Sequence, residues 1–290
     1  MLQEYYLPNS VQDALLLLKE NNGKARIIAG GTDLIIDHQA EKVTADAFID
    51  ISNIDELKKI EFTDGVISIG AAVTHNQVAK SQLIQEHAFA LALAARSVGS
   101  LQIRNIATVV GNVTNAQPAA DTAVALVALG AEAEINSVSG VEYVPIENMY
   151  AGIGKSTVDS TSQLVTRIRF AAPQSHQGTS FVRLCQRKAL ALPMLNVAAM
   201  VSIKGDQFEW VRLVMAPVGV GPVRAIEAEK FLKESPVTDE VVENAAQLAL
   251  ENANPRSSMV RGSREYRMGV LPVLVKRALA TAVAQTKMKN

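Results

Sequence analysis

Hydrophobic positions along the chain alternate between a strand period of about two residues and a helical period of about 3.6 residues. Val11, Ala14, Leu15 and Leu18 mark one helical face, and Ser10 with Asp13 resembles a helix-capping pair. Strands are predicted at residues 25–29, 47–51, 59–62, 66–69, 131–136, 141–144, 181–185, 197–203 and 208–216. Further helices are predicted at residues 83–98, 121–129, 224–232, 239–252 and from Gly269 onward.

The order of these elements predicts an α+β architecture with two small N-terminal units and a C-terminal unit. Residues 173–178 are polar and rich in turn formers, so they are the best linker candidate. Residues 108–114 are rich in β-branched side chains and are expected to favour a strand.

Composition excludes several classes of protein. The formal net charge of −1 leaves no electrostatic footprint for a nucleic acid or an anionic membrane. Residues 189–203 form the longest uncharged apolar stretch, which is too short to span a bilayer. Residues 1–6 lack the basic and apolar regions of a secretory signal. We therefore expect a soluble, cytoplasmic protein without a nucleic-acid or membrane partner.

Cysteine and histidine usage narrows the redox chemistry that this chain can carry. Cys185 is the single cysteine, so the chain cannot build an intrachain disulfide or a cysteine-ligated iron–sulfur cluster. The four histidines are far apart in sequence and form no short-spaced ligand pair. Redox chemistry in this chain would therefore need a bound organic cofactor, and no metal site is expected.

The segment 27–34 places Gly30 and Gly31 between a predicted strand and a predicted helix. Glycine permits positive φ and close backbone approach, so successive N–H groups can converge on an anion. The following helix N-terminus adds unpaired donors and partial positive charge, and Thr32 offers a hydroxyl. The alternative is an ordinary turn from a strand to a helix.

A second stretch, residues 107–121, consists mainly of polar and small residues and lies between apolar elements. Gly111 and Asn112 are placed to reach a phosphate or the edge of a flavin ring. Asp121 suits a ribose hydroxyl or, alternatively, a plain helix N-cap. Two such stretches suit the two ends of an extended dinucleotide.

Several common motifs are absent. Gly30-Gly31 is not the G-x-G-x-x-G fingerprint, so a Rossmann dinucleotide fold is unsupported. Gly154-Lys155-Ser156 resembles the end of a P-loop, but Met149 stands where that motif needs glycine. The chain has no G-x-S-x-G or H-E-x-x-H motif, which argues against a hydrolase.

Both glycine-containing stretches resemble the flavin motifs of one family, the FAD-binding subunits of molybdenum hydroxylases of the xanthine dehydrogenase and CO dehydrogenase medium-chain type. Residues 29–34 are similar to the first motif, and residues 102–112 followed by 119–121 are similar to the second. The resemblance continues through Arg187-Lys188-Ala189 and residues 261–267, so it covers essentially the whole chain.

The resemblance implies a two-part FAD-binding domain of the vanillyl-alcohol-oxidase/PCMH type and a C-terminal α+β flavoprotein domain. The two FAD-binding subdomains would span residues 1–56 and 57–173, and the C-terminal domain residues 178–290. It also implies that the first turn lines the FAD pyrophosphate, that the second motif holds the other side of the cofactor and that no residue of this chain is catalytic. The implied cofactor-binding residues are Ile27, Ile28, Ala29, Gly30, Gly31, Thr32, Asp33, Leu34, Val98, Ala107, Thr108, Gly111, Asn112, Thr114, Asp121, Val165, Arg183 and Leu192.

Some of these positions remain ambiguous or depart from the family. Leu192 either packs on the flavin or belongs to the hydrophobic core. Arg183 matches a position that is often basic in the family, and its charge either belongs to the cofactor site or is simply solvated. Val110 stands where the family usually has glycine, so Gly111 is expected to supply the positive-φ step alone. Val98 lies where some relatives place an aromatic ring over the flavin.

The family resemblance also implies an electron-relay function. Molybdopterin on a large partner subunit would oxidise the substrate, 2Fe-2S clusters on a small partner subunit would carry electrons, and FAD on this chain would pass them to an acceptor such as NAD⁺. A dimer of heterotrimers is expected, and Pro255-Arg256-Ser257-Ser258 resembles the purine-oxidising members, which favours a purine substrate. Two alternatives remain open: a free-standing FAD-dependent oxidase or dehydrogenase of the same fold, and a scaffold that has lost its cofactor.

Overall fold

The N-terminal part of the chain forms a small parallel sheet with two helices. The structure is a computed structural model that describes residues 2–187 and 189–288. In chain order the elements are β1 (Glu4–Tyr6), α1 (Val11–Glu20), β2 (Ala25–Ile28), α2 (Leu34–Gln39) and β3 (Ala47–Asp50). The strands pair in the order β1-β3-β2. The Ser10 Oγ accepts from the Asp13 backbone N at 3.0 Å, which confirms the predicted start of α1.

A five-stranded antiparallel sheet follows, with the strand order β4-β5-β10-β6-β7. The strands of this second region are β4 (Ile60–Thr63), β5 (Val66–Gly70), β6 (Glu132–Ser137), β7 (Gly140–Pro145), β8 (Tyr150–Gly152), β9 (Lys155–Ser156) and β10 (Gln163–Ala171). Asp64 and Gly65 both have positive φ, which confirms the predicted hairpin between β4 and β5. The central strand β10 was not predicted, because Arg167 and Arg169 interrupt its apolar positions.

Six helices connect the two halves of this sheet. They are α3 (His75–Lys80), α4 (Gln82–His87), α5 (Phe89–Ser97), α6 (Leu101–Ile106), α7 (Val109–Thr114) and α8 (Asp121–Ala128). All eight residues of α8 are buried, so this helix lies at the centre of the molecule. The predicted helix 83–98 is interrupted at Ala88, whose φ of −132° and ψ of 53° separate α4 from α5.

The C-terminal part of the chain packs a four-stranded antiparallel sheet against three helices. These elements are β11 (Gln177–Leu184), β12 (Leu195–Lys204), β13 (Gln207–Ala216), β14 (Val223–Arg224), α9 (Ile226–Leu232), α10 (Asp239–Leu248) and α11 (Arg264–Met288). Successive residues of β12 point to opposite faces. Ala198 and Met200 join the core that contains α8, whereas Val197 and Val201 join the core that contains α11. The sheet is therefore a layer between two hydrophobic cores.

Helix α11 begins at Arg264, five residues before the predicted start at Gly269, and it contains Pro272. By length and composition its residues Arg264–Lys287 are apolar enough to cross a membrane, and the sequence pattern missed this. Leu271, Val275 and Leu279 of the helix are fully buried in the C-terminal core. Such burial is typical of the core helix of a globular domain.

Candidate cofactor-binding site

The first glycine turn presents a row of backbone donors. Gly31 has a φ of +64°, as the turn from β2 into α2 requires. The backbone N–H groups of residues 30–33 donate to no acceptor within the described part of the chain. Because these groups also precede the N-terminus of α2, they carry partial positive charge. The turn can therefore receive a phosphate oxygen.

The two predicted motifs are in direct contact. A Cβ atom on Gly30 would lie 2.3 Å from the Ile106 carbonyl oxygen and 2.8 Å from the Ala107 Cα. Only glycine permits this approach, so the two adjacent glycines have different tasks: Gly30 provides close packing and Gly31 provides positive φ. The carbonyl of Ala107 in turn accepts from the His75 N at 3.0 Å, which joins α3 to the second motif.

Residues 109–114 form a helix, so the predicted strand at 108–114 is wrong. Thr108 is the N-cap of α7, and its Oγ1 accepts from the Gly111 N at 3.0 Å. Gly111 has no positive φ, so the expected left-handed step at this position is also wrong. Val109, Val110 and Val113 are buried on one helical face, and this packing outweighs their strand preference.

Five of the predicted side chains line one cleft of about 240 Å³. They are Val98, Asn112, Asp121, Arg183 and Leu192, which lie beside Gly99, Ala119, Leu190 and Ala191. Thr122 Oγ1 donates to Asn112 Oδ1 at 2.6 Å and orients the amide. We name this space the flavin cleft, after the ring that the family resemblance places beside these residues.

Asp121 is the polar centre of the flavin cleft. Its Oδ1 accepts from Arg183 Nε at 3.0 Å and from Asn196 Nδ2 at 2.8 Å, while its Oδ2 accepts from none of the described residues. Burial raises the pKa of Asp121, and the neighbouring Arg183 and Asn196 oppose that rise. Ala120 is the N-cap of α8, so Asp121 is not the cap and the free Oδ2 can accept a ligand hydroxyl.

Arg183 and Leu192 resolve two ambiguities of the sequence. The Arg183 side chain is only 12% exposed, so its charge is not simply solvated. Besides the ion pair with Asp121, it donates to the Ala191 carbonyl and so holds the segment 190–192 at the cleft. Leu192 is 59% exposed, which excludes the core alternative.

The remaining predicted residues lie away from the cleft. Residues 27–34 form the first turn and its flanks, and Thr114 donates through Oγ1 to the Gly111 carbonyl at 3.2 Å within α7. Val165 is 4% exposed in the core of the five-stranded sheet and is not among the cleft residues. Burial and the nearby Asp37 raise the pKa of Asp33 at the start of α2. Lys188 of the C-terminal resemblance lies outside the described residues.

Two buried polar residues at the site were missed. Asn196 is fully buried in β12, and a lone amide within an apolar strand is a signal that it has a polar partner. His75 is 1% exposed, and neither of its ring nitrogens has a hydrogen-bond partner in the described chain. Burial, with a smaller contribution from Arg104, lowers the pKa of His75 to about 4. No signal in the sequence indicated that His75 lies beside Ala107, because this contact depends on how α3 packs against the second motif.

Comparison with known protein families gives two adjoining matches. Residues 1–173 match the FAD binding domain in molybdopterin dehydrogenase, and residues 180–282 match the CO dehydrogenase flavoprotein C-terminal domain. Together they define the class of protein as a two-domain FAD-binding flavoprotein, which confirms the expected fold. The chain belongs to the FAD-binding subunits of the molybdenum hydroxylases, the family of xanthine and CO dehydrogenases, and is thus a subunit of an oxidoreductase.

Individual relatives agree with this assignment. The chain is 31% identical to a xanthine dehydrogenase FAD-binding subunit of Escherichia coli O157:H7, over 97% of this chain and 96% of the relative. It is 30% identical to the glyceraldehyde dehydrogenase medium chain of Sulfolobus acidocaldarius, over 94% and 96%. Among solved structures, CO dehydrogenase from Hydrogenophaga pseudoflava superposes with a TM-score of 0.92 at 26% identity, covering 98% of both chains.

Proposed function

We propose that this chain binds one FAD and relays electrons from the iron–sulfur clusters of a partner subunit to an acceptor such as NAD⁺. The observation that carries the proposal is the row of unpaired N–H groups at residues 30–33, packed through Gly30 against the second motif. A phosphate-bearing cofactor whose pyrophosphate lies on this turn would satisfy donors that otherwise have no partner.

The residues of the flavin cleft fit the other part of FAD. The free Oδ2 of Asp121 would accept a hydroxyl of the cofactor, and Asn112 would approach the ring edge. Leu192 and Val98 would cover the ring with aliphatic surface in place of an aromatic stack. When bound, FAD supplies two-electron redox chemistry, whereas the chain positions it and excludes water.

The partners and the domain limits belong to the same proposal. We place molybdopterin on a large subunit and 2Fe-2S clusters on a small subunit, in a cytoplasmic dimer of heterotrimers without a nucleic-acid or membrane partner. A purine is the favoured substrate of the molybdenum subunit. The three proposed units, residues 1–56, 57–173 and 178–290, each contain one of the three larger sheets.

Cofactor binding is tested by titrating the FAD-free chain with FAD. Asp121→Asn should weaken FAD binding by about 1–3 kcal/mol, because it removes a charged acceptor. Glu229→Gln is the matched control, since Glu229 is also buried and paired with an arginine, Arg224 at 2.6 Å, but lies outside the cleft. Equal weakening in both variants would mean that Asp121 acts only through stability, and the proposed contact would be wrong.

The electron-relay role is tested on the native complex. Molybdenum and iron should co-purify with the chain, and NAD⁺ added without oxygen should reoxidise the reduced flavin. Purification of an active flavoprotein without either metal would instead favour the free-standing oxidase or dehydrogenase. A chain that shows no flavin absorbance after reconstitution would favour the scaffold.

A further inference from the structure

A second pocket, of about 490 Å³, opens where residues 254–267 meet the loop after β13. Arg256, Arg261 and Arg267 all line this space, which we name the arginine pocket. It shares no lining residue with the flavin cleft, although Pro118 of the arginine pocket and Ala119 of the cleft are consecutive.

The positive charges of the arginine pocket are not neutralised. Among the described residues, no carboxylate forms an ion pair with any of the three arginines, and the guanidinium groups of Arg256 and Arg261 have no hydrogen-bond acceptor. Burial and repulsion from the neighbouring arginines lower the pKa of both Arg261 and Arg267. Three like charges brought together in this way favour a bound anion.

Arg267 is the one member of the three whose guanidinium is held by hydrogen bonds in the described chain. It is 3% exposed and donates to the Met194 carbonyl at 3.1 Å, the Arg256 carbonyl at 2.7 Å and the Pro217 carbonyl. These neutral carbonyls hold the guanidinium in place without cancelling its charge. Arg267 thus keeps a fixed positive charge in the pocket, beside the exposed Arg256 and the half-buried Arg261.

Part of the pocket lining is apolar. Ile153 and Val220 belong to this part and are 43% and 51% exposed. A ligand with both an anionic and an apolar part would contact the arginines and the apolar residues, whereas a bare inorganic anion would leave the apolar residues in water. Guanidinium groups match the geometry of phosphate oxygens through paired N–H donors.

We propose that the arginine pocket binds a small organic phosphate, with its phosphate on Arg256 and Arg261 and its organic part on Ile153 and Val220. This inference does not rest on the proposed electron relay, because it concerns residues outside the flavin cleft.

The test uses the full FAD-loaded chain and isothermal titration with three probes: inorganic phosphate, pyrophosphate and ADP. ADP should bind at least about tenfold more tightly than inorganic phosphate. Arg261→Gln should weaken ADP binding about tenfold or more, because a charge-assisted contact is lost. Ser258→Asp should do the same, since its carboxylate can keep the turn contacts of Ser258 Oγ with the Val260 and Arg261 N–H groups while neutralising the pocket.

Arg277→Gln is the matched control, because Arg277 is an exposed arginine of α11 that does not line the pocket. It should leave ADP binding unchanged, and all variants should keep their flavin content. Pyrophosphate binding as tightly as ADP would exclude the organic contact and overturn that part of the proposal. Absence of ADP binding in a folded, flavin-loaded chain would overturn the whole proposal. If Arg261→Gln instead prevents assembly with the partner subunits and none of the probes binds, the proposal is also overturned, and the pocket is a protein-docking site.

Discussion

The two glycine-containing motifs lie against each other but differ in backbone conformation and in hydrogen bonding. The first, residues 30–33, leaves its backbone donors unpaired and depends on glycine for its shape. The second, residues 108–114, is a capped helix whose valines are buried and whose Gly111 needs no special backbone angle. The first motif therefore has backbone donors without acceptors in the described chain, whereas the second is a capped helix that presents the side chain of Asn112 to the cleft.

The largest expected effect comes from Gly30→Ala. The new Cβ would lie 2.3 Å from the Ile106 carbonyl oxygen, so the motifs must separate. We expect a loss of about 3 kcal/mol in the free energy of unfolding, together with most of the bound FAD. Denaturant unfolding and flavin content per chain measure the two effects. A fully loaded, equally stable variant would show that the contact between the motifs is unimportant.

The next effect is a loss of stability at low pH that depends on the buried imidazole ring of His75. The backbone N–H of this residue also binds the Ala107 carbonyl of the second motif. The pKa of His75 is lowered to about 4 in the folded chain, from an ordinary value of 6.5. The unfolded chain therefore binds the proton more readily. The contribution of neutral His75 to the free energy of unfolding is fully present above pH 6.5 and is lost as the pH falls toward 4. The loss should approach about 3 kcal/mol.

The free energy of unfolding measured from pH 7 to pH 4 should reveal this loss in the wild-type chain and less of it in His75→Leu. His176→Leu is the control, because His176 is only half-buried. Identical pH profiles for wild type and His75→Leu would contradict the assignment of the loss to His75.

A smaller effect is expected from Thr108→Ala, which removes the oxygen that caps α7. The expected loss is about 1 kcal/mol of stability, with a modest decrease in FAD affinity. Thr108→Ser keeps the hydroxyl and should restore both values, as measured by thermal unfolding and FAD titration. A serine variant as unstable as the alanine variant would place the effect in the Thr108 methyl group instead of the cap.

The smallest effect is expected from Gly111→Ala, the same change as Gly30→Ala but in the second motif. Its Cβ would meet only Thr108 Oγ1, at 2.8 Å, and alanine favours the helix. The two contributions should offset each other to within about 1 kcal/mol of stability. If Gly111→Ala were as harmful as Gly30→Ala, the distinction between the motifs would fail.

The order of most elements, the family and the position of both motifs follow from the amino-acid sequence alone. Periodicity and turn residues are local signals, which is why α1, α8 and the hairpin at Asp64-Gly65 were predicted close to their observed limits. The glycines at 30 and 31 also revealed the first turn without any structure.

The features that depend on packing between distant segments emerge only from the tertiary fold. It made residues 109–114 a helix, because burying three valines on one face outweighs their local strand preference. It also brought Asp121, Arg183 and Asn196 together and collected three arginines around one pocket. Such contacts join residues far apart in the chain, and no local pattern of hydrophobic positions encodes them.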